Sequence, residues 1–240
     1  MAKFGRGAGI TRRQGVFAGL AGLGLAASTM PPARAAEPVD LAFDVLWRDE
    51  PVGRHGVRLS PSGSGLVAEV TIDVSVALLG RTVYTYRHRS VEDWRGGRLH
   101  ALHGRTDNNG SVSDVEAARD GEQLLIDGID GRSAAPADLI PASYWHPDTI
   151  AREIWLDGVE GRVARSTVTD LGAETVQTAT ATVSARRFRL QGDIDAELWY
   201  ADGQWVGFGL AGPRGTLIRY RLATSLDEVA RVPLIAAQFA

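Results

Sequence analysis

The residues best suited to acid–base chemistry are a histidine and a glutamate four positions apart. His88 and Glu92 lie in a segment of alternating residue types, so a β-strand would present both on one face. Glu92 is followed closely by Trp94, and an aromatic wall beside the carboxyl group would raise its pKa. Ser143 is the most suggestive nucleophile, but no spacing connects it with His88. A hydrolase or isomerase is therefore one interpretation, although no catalytic residue is assigned.

Aromatic residues near His88 favour a second interpretation, a ligand-binding site. Tyr84 and Tyr86 alternate with their neighbours and continue the His88 face of the same strand. Binding pockets in β-barrel mouths are apolar and contain a few polar groups that orient the ligand. Ordinary cross-strand packing stays open as an alternative for each of these aromatic residues. The predicted ligand-binding residues are Tyr84, Tyr86, His88, Glu92, Trp94, Thr106, Tyr144 and Trp145.

The five histidines do not have the spacing of a metal site. His100 and His103 are three residues apart and would point to opposite faces of a strand. His88 and Glu92 share a face, but four residues of extended strand span roughly 13 Å. Zinc normally takes three or four converging ligands. We therefore expect neither a metal nor a cofactor.

Alternation with a period of two dominates the chain and indicates strands. The clearest case is the apolar series from Leu66 to Val76, whose intervening residues are polar. The one long departure from this pattern lies between residues 131 and 155, where prolines interrupt it and Asp148 would cap a short helix over Thr149–Leu156. A last helical turn would begin at Ser225. The pattern predicts about ten antiparallel strands, an all-β fold with a strongly curved sheet or incomplete β-barrel, and a short helical or irregular excursion across one opening.

The first 35 residues have the features of an export signal. Arg12-Arg13 precedes an apolar run, Val16–Ser28, and Ala33-Arg34-Ala35 has the small residues of a cleavage site. The arginine pair is typical of the twin-arginine route. The apolar run is much shorter than the ~20 residues that a spanning helix needs. We expect residues 1–35 to be cleaved, and residues 36–240 to form a single β domain, periplasmic or secreted, with no transmembrane segment.

The net charge and the cysteine content reduce the number of possible functions. Residues 1–35 contain five basic residues and no acidic one, so the mature chain has 21 basic and 29 acidic residues and a net charge of −8. This sign argues against nucleic acid and anionic membrane surfaces as partners. The chain has no cysteine, which excludes disulfides, a thiolate nucleophile and a cysteine-based zinc site.

Short motifs distributed along the chain point to a family. They are Ala185–Asp193, Leu198-Trp199-Tyr200, Trp205-Val206-Gly207, Ile218–Leu222, Glu92-Asp93-Trp94, Thr106–Gly110 and Pro141–Trp145. Over nearly the whole mature chain this series resembles an uncharacterised family of exported bacterial β-proteins, a domain of unknown function. The family is similar to periplasmic open-barrel proteins that include lipoprotein carriers and other binders of hydrophobic ligands. The resemblance implies a fold and a hydrophobic ligand, and it transfers no catalytic residues.

The leading hypothesis is a protein that binds a small hydrophobic or amphipathic, lipid-like molecule in the concavity of a curved sheet. The first alternative is a periplasmic hydrolase or isomerase that uses His88 and Glu92. The second alternative is an envelope module that docks another protein. The sequence identifies neither the ligand nor a protein partner.

Overall fold

A computed structural model describes residues 37–211 and 216–238 of the chain. The predicted export signal, residues 1–35, lies outside these ranges and stays a prediction. Within the described ranges, no helix is long and apolar enough to cross a bilayer.

The described residues form fourteen strands and three short helical segments. The strands are β1 Val39–Trp47, β2 Glu50–Ser62, β3 Gly65–Leu78, β4 Arg81–Arg95, β5 Arg98–Asn108, β6 Ser111–Asp120, β7 Gln123–Gly128, β8 Gly131–Pro136, β9 Ile154–Leu156, β10 Val163–Gln177, β11 Thr182–Gly192, β12 Ala196–Ala201, β13 Gln204–Ala211 and β14 Leu217–Leu222. A 3₁₀ helix spans Thr149–Ala151, and two α-helices follow the sheet, α1 Leu226–Val229 and α2 Val232–Gln238.

All fourteen strands belong to one antiparallel sheet. Their order is β8-β7-β6-β5-β4-β3-β2-β1-β14-β13-β12-β11-β10-β9. Neighbours in the sheet are neighbours in sequence except at the centre, where β1 pairs with β14. The two ends, β8 and β9, do not pair with each other, so the sheet is not closed. The predicted fold class, an all-β curved sheet or incomplete barrel, is confirmed.

The alternating pattern decides which side chains the sheet buries. On β3, Leu66, Ala68 and Val70 are buried while Glu69 between them is exposed. We call the buried side the inner face.

Bulges interrupt the register at five places, including Asp170/Gly172, where the Gly172 N–H donates to Asp170 Oδ1 at 2.8 Å. Bulges increase local twist and bend a strand, so they help such a long sheet to curve.

Several details differ from the sequence prediction. Fourteen strands replace the predicted ten, partly because residues 131–136 form β8. The helix predicted over Thr149–Leu156 is wrong, since the helical turn ends at Ala151 and β9 follows, where Trp155 and Leu156 pair with β10. Asp148 makes no side-chain cap. The last helical turn is confirmed, because Ser225 Oγ accepts a hydrogen bond from the Glu228 N–H.

Residues 137–161, here called the covering segment, follow β8, include the end strand β9 and lie against the inner face of the sheet. Trp145 and Trp155 are buried in the core. Ser113 Oγ on β6 donates to the Val159 carbonyl at 2.8 Å. A Cβ atom at Gly104 on β5 would lie 2.7 Å from the Gly158 carbonyl oxygen, so a glycine is needed for this close approach. The excursion predicted for residues 131–155 is thus present, but it begins after β8.

Candidate functional site

A cleft of about 300 Å³ lies between the covering segment and the inner face of the sheet. Its lining comes from β2 to β5, from β12 to β14, from the turn between β11 and β12 and from the covering segment. This volume is at the lower end of the range that small-molecule pockets occupy.

A buried carboxylate, Glu92 on β4, lines the cleft with only 1% of its surface exposed. Its Oε2 accepts hydrogen bonds from two indole groups, Trp94 Nε1 at 3.0 Å and Trp145 Nε1 at 3.1 Å. Trp94 follows on the same face of the strand, whereas Trp145 belongs to the covering segment. Glu92 therefore connects the sheet to that segment.

The surroundings of Glu92 favour its neutral form. Burial raises the pKa of Glu92 to about 7, while the hydrogen bonds from Trp94 and Trp145 and the nearby Ser143 hydroxyl oppose the increase. Ser143 Oγ is buried and has no hydrogen bond of ordinary geometry within the described residues. A carboxyl group that titrates near neutrality can accept or donate a proton, and it lies next to a hydroxyl that is free to bond elsewhere.

Two buried histidines lie in one row across the inner face. The strand register aligns His55 on β2 with Ile72 on β3, and Ile72 with His88 on β4, which in turn faces Thr106 on β5. His88 Nδ1 and Thr106 Oγ1 are 2.8 Å apart and share a hydrogen bond. Burial lowers the pKa of His88 to about 4, so its ring is neutral at pH 7.

His55 has a less common environment, because its polar atoms are buried without partners. Its ring lies among those of Phe43, Trp205 and Tyr220, with centroid distances of 6.0, 5.3 and 5.4 Å. Only 3% of the residue is exposed, and neither ring nitrogen has a hydrogen-bond partner in the described part of the chain. Burial, together with nearby His88, lowers the pKa of His55 to about 3. A neutral imidazole thus brings one unused donor and one unused acceptor to the cleft lining.

Aromatic rings form one wall of the cleft. The Tyr144 and Phe208 centroids are 5.0 Å apart, and those of Phe208 and Tyr220 are 4.9 Å apart. Tyr86 on β4 also lines the cleft. Tyr144 has a φ of 64°, a left-handed conformation that costs free energy in a residue other than glycine. Its carbonyl accepts a hydrogen bond from the Tyr200 hydroxyl at 2.7 Å, which helps to hold this conformation.

The charged residues of the lining are all acidic. They are Glu92, Asp157, Asp193 and Asp195, and no Lys or Arg is among the described residues that line the cleft. Asp157 is half-buried in the covering segment, and burial raises its pKa. Asp193 and Asp195 are exposed at the rim. No three potential metal ligands converge within the described ranges.

The structure brings most of the predicted site residues to this cleft. Tyr86, His88, Glu92, Ser143 and Tyr144 line it. The other predicted residues support these from behind, since Trp94 and Trp145 bond to Glu92 and Thr106 bonds to His88. Tyr84 shares the inner face but is 37% exposed and lies outside the lining.

Sequence reasoning missed several residues of the cleft, among them His55, Asp157 and Tyr220. His55 had a usable signal, because it continues the apolar alternation of Val57 and Leu59 and therefore had to be buried. Asp157 and Tyr220 had no such signal. They reach the cleft only because the covering segment crosses the sheet and β14 pairs with β1.

A larger groove, of about 620 Å³, lies on the other face of β4 to β8. Exposed apolar side chains such as Val91 and Leu125 line it. It contains none of the predicted site residues and no buried titratable group among its described residues. The smaller cleft is therefore the candidate site.

Comparisons with known proteins agree with the fold. The model of a family described as "Domain of unknown function (DUF6134)" matches residues 43–223. The chain belongs to the DUF6134 family. This confirms the resemblance to an uncharacterised β family, and the DUF6134 description assigns no activity.

One solved structure is similar to this DUF6134 protein. It is the crystal structure of a beta-barrel-like protein of domain of unknown function DUF1849 from Brucella abortus. The two chains are 10% identical, the match covers 79% of this chain and 97% of that one, and the TM-score is 0.52. At this identity the similarity shows the fold alone. No match was found among curated proteins.

Proposed function

We propose that the cleft binds a small amphipathic molecule. The observation that carries this proposal is His55, which lines the cleft with two buried ring nitrogens that find no partner among the described residues. An unsatisfied buried polar group costs about 1–3 kcal/mol. A ligand that hydrogen-bonds to the imidazole would remove that cost, which gives the cleft a reason to be occupied.

The rest of the lining suits the apolar part of such a ligand. Ile72, Leu102 and Leu210 line the cleft beside the aromatic wall. Burial of each methylene group contributes about 0.8 kcal/mol, so a short aliphatic chain would add most of the affinity. Polar groups at one position and apolar groups around them are the usual composition of a small-molecule pocket.

The test is to look for a retained ligand. The protein would be produced in its native host, purified without detergent as residues 36–240 and analysed by native mass spectrometry, followed by solvent extraction. We expect a stoichiometric adduct that organic solvent releases. An apo mass, together with no binding of the neutral fluorescent probe N-phenyl-1-naphthylamine, would contradict the proposal.

Two tyrosines provide a matched pair of variants. Tyr86 lines the cleft, whereas Tyr84 lies two residues away on the same face, outside the lining. We expect Tyr86→Ala to lose the adduct and Tyr84→Ala to keep it, with both proteins folded by circular dichroism. Equal retention in the two variants would place the ligand elsewhere.

A hydrolase or isomerase that uses His88 and Glu92 is the second candidate. The observation in its favour is the position of Glu92, whose pKa is raised to about 7, beside the buried Ser143 hydroxyl. Hydrolysis of p-nitrophenyl octanoate would test the hydrolase. The hydrolase would be supported if the wild type hydrolyses this ester and folded His88→Gln does not. A wild-type rate equal to the rate in buffer alone would exclude this activity.

We also propose that the protein is exported and cleaved after residue 35. The arginine pair, the apolar run and the small residues near Ala35 support this. N-terminal sequencing of protein from the periplasmic fraction would be expected to start at Ala36. Replacement of Arg12 and Arg13 by Lys is expected to keep the precursor in the cytoplasm, whereas unchanged processing would exclude the twin-arginine route.

A further inference from the structure

We propose that the cleft selects an organic cation, an amphiphile whose polar group is an ammonium. This inference rests on the proposed function and adds the chemical class of the ligand. It follows from three features of the lining, namely the sign of the charges, the aromatic wall and the unpartnered histidine.

The first feature is the sign of the charged side chains in the cleft lining. Glu92 and Asp157 line the cleft itself, while Asp193 and Asp195 lie at its rim, and no described lining residue is Lys or Arg. With a pKa of about 7, Glu92 is mostly ionised at pH 8. Arg162, whose charge acts on Asp157, already pairs with Asp130 at 2.6 Å and with Glu160. The acidic side chains would repel a carboxylate or phosphate in the cleft, and no Lys or Arg among the described lining residues would offset that repulsion. The same side chains would attract a cation.

The aromatic wall adds a second contribution to cation binding. Tyr144, Phe208 and Tyr220 are in sequential ring contact, and Tyr86 lines the same cleft. The faces of aromatic rings attract cations, and the attraction is stronger where water is excluded. Burial raises the pKa of Tyr144 and of Tyr220, so both side chains stay uncharged and remain compatible with a nearby carboxylate.

His55 provides the hydrogen bond. Its imidazole is neutral at pH 7 because burial lowers the pKa to about 3, so it does not repel a cation. A neutral imidazole has one ring nitrogen that accepts, and neither nitrogen of His55 is used within the described residues. An ammonium N–H can donate to this nitrogen while a carboxylate balances the charge.

The experiment compares three eight-carbon probes whose polar groups are positive, neutral and negative. Octylammonium, octanol and octanoate would be titrated calorimetrically into the mature protein at pH 8, below micelle formation and in 20 mM salt. We expect octylammonium to bind at least about tenfold more tightly than either of the others. Equal affinity for octanol, or tighter binding of octanoate, would overturn the cation while leaving the proposed binding function intact.

Failure of all three probes to bind would overturn the cation inference for this cleft. The retained adduct in native mass spectrometry would then decide separately whether the binding function itself stands. The two failures are therefore distinguishable.

An isosteric variant tests the source of the selectivity. Asp157→Asn keeps the oxygen that accepts the Val159 N–H at 2.8 Å, so the covering segment keeps this bond. We expect the variant to bind octylammonium about five- to tenfold more weakly and octanol unchanged. Asp120→Asn, at an exposed hairpin end, is the control and is expected to change neither affinity. An equal loss for both probes in Asp157→Asn would contradict a role for its charge.

Discussion

The substitution Glu92→Gln isolates the free-energy cost of ionising a buried carboxyl group. Gln has nearly the same shape, and its amide oxygen can accept the indole N–H groups of Trp94 and Trp145, as Glu92 Oε2 does at 3.0 and 3.1 Å. The variant therefore keeps the packing and both hydrogen bonds. It removes only the ability to become charged.

The magnitude follows from the pKa of Glu92. Burial raises it from 4.5 to about 7, which corresponds to about 3 kcal/mol. Because the folded protein holds this proton more tightly than the unfolded chain, the stabilisation is fully present below pH 4.5 and is lost as pH rises to about 7. We expect Glu92→Gln to match the wild type near pH 4.5 and to be up to about 3 kcal/mol more stable at pH 8.

The assay is urea unfolding of both proteins at pH 4.5, 5.5, 6.5 and 8. The informative quantity is the difference between their free energies of unfolding. Burial lowers the pKa values of His55 and His88, so both proteins also lose stability as pH falls below 6.5, and this common trend cancels in the difference. Glu69→Gln, exposed on the other face of the neighbouring strand, is the control.

A difference between wild type and Glu92→Gln that does not change with pH would refute the reasoning. Glu92→Leu adds a second check at pH 4.5, where the wild-type carboxyl is neutral. The leucine leaves two buried indole N–H groups without an acceptor, and each is expected to lower the free energy of unfolding by about 1–3 kcal/mol. If Glu92→Leu were as stable as Glu92→Gln there, the two hydrogen bonds would contribute nothing.

Three further substitutions test other parts of the site. His55→Leu removes a histidine whose pKa is lowered to about 3 by burial. As pH falls from 6.5 to 5, the wild type is expected to lose about 2 kcal/mol of unfolding free energy through this group, and the variant is expected to retain it. Gly104→Ala would bring a Cβ atom to 2.7 Å from the Gly158 carbonyl oxygen, and a loss of about 1–3 kcal/mol is expected in urea unfolding. Tyr200→Phe loses the 2.7 Å hydrogen bond to the Tyr144 carbonyl, and thermal unfolding is expected to show a loss of about 1–2 kcal/mol.

Each of these predictions has a control or a contradicting result. A His55→Leu protein with the same acid sensitivity as the wild type would mean that His55 is protonated in the folded state. Gly158→Ala, whose Cβ would meet only a Leu102 methyl group at 4.0 Å, is expected to be nearly neutral. Tyr84→Phe removes a hydroxyl from a partly exposed ring and controls for Tyr200→Phe, so equal losses would argue against the Tyr144 contact.

The sequence alone determined the fold class and the side of the sheet on which the β4 residues lie. Alternation with a period of two is a local property, because successive residues of a strand point to opposite faces. It therefore identified Tyr86, His88 and Glu92 as neighbours on one face of β4 before any strand pairing was known. The same local pattern also places His55 on the buried face of β2, in line with Val57 and Leu59.

Only the tertiary structure decided which of these residues form a site. His55 meets Tyr220 because β1 pairs with β14, the first strand with the last, and no local pattern specifies that pairing. Glu92 meets Trp145 because the covering segment crosses the sheet, and the prolines that indicated an irregular segment gave no direction for it. Local periodicity specifies the face on which a side chain lies. Contacts between distant residues depend on strand register and on burial of the whole core, and these are settled only when the chain folds.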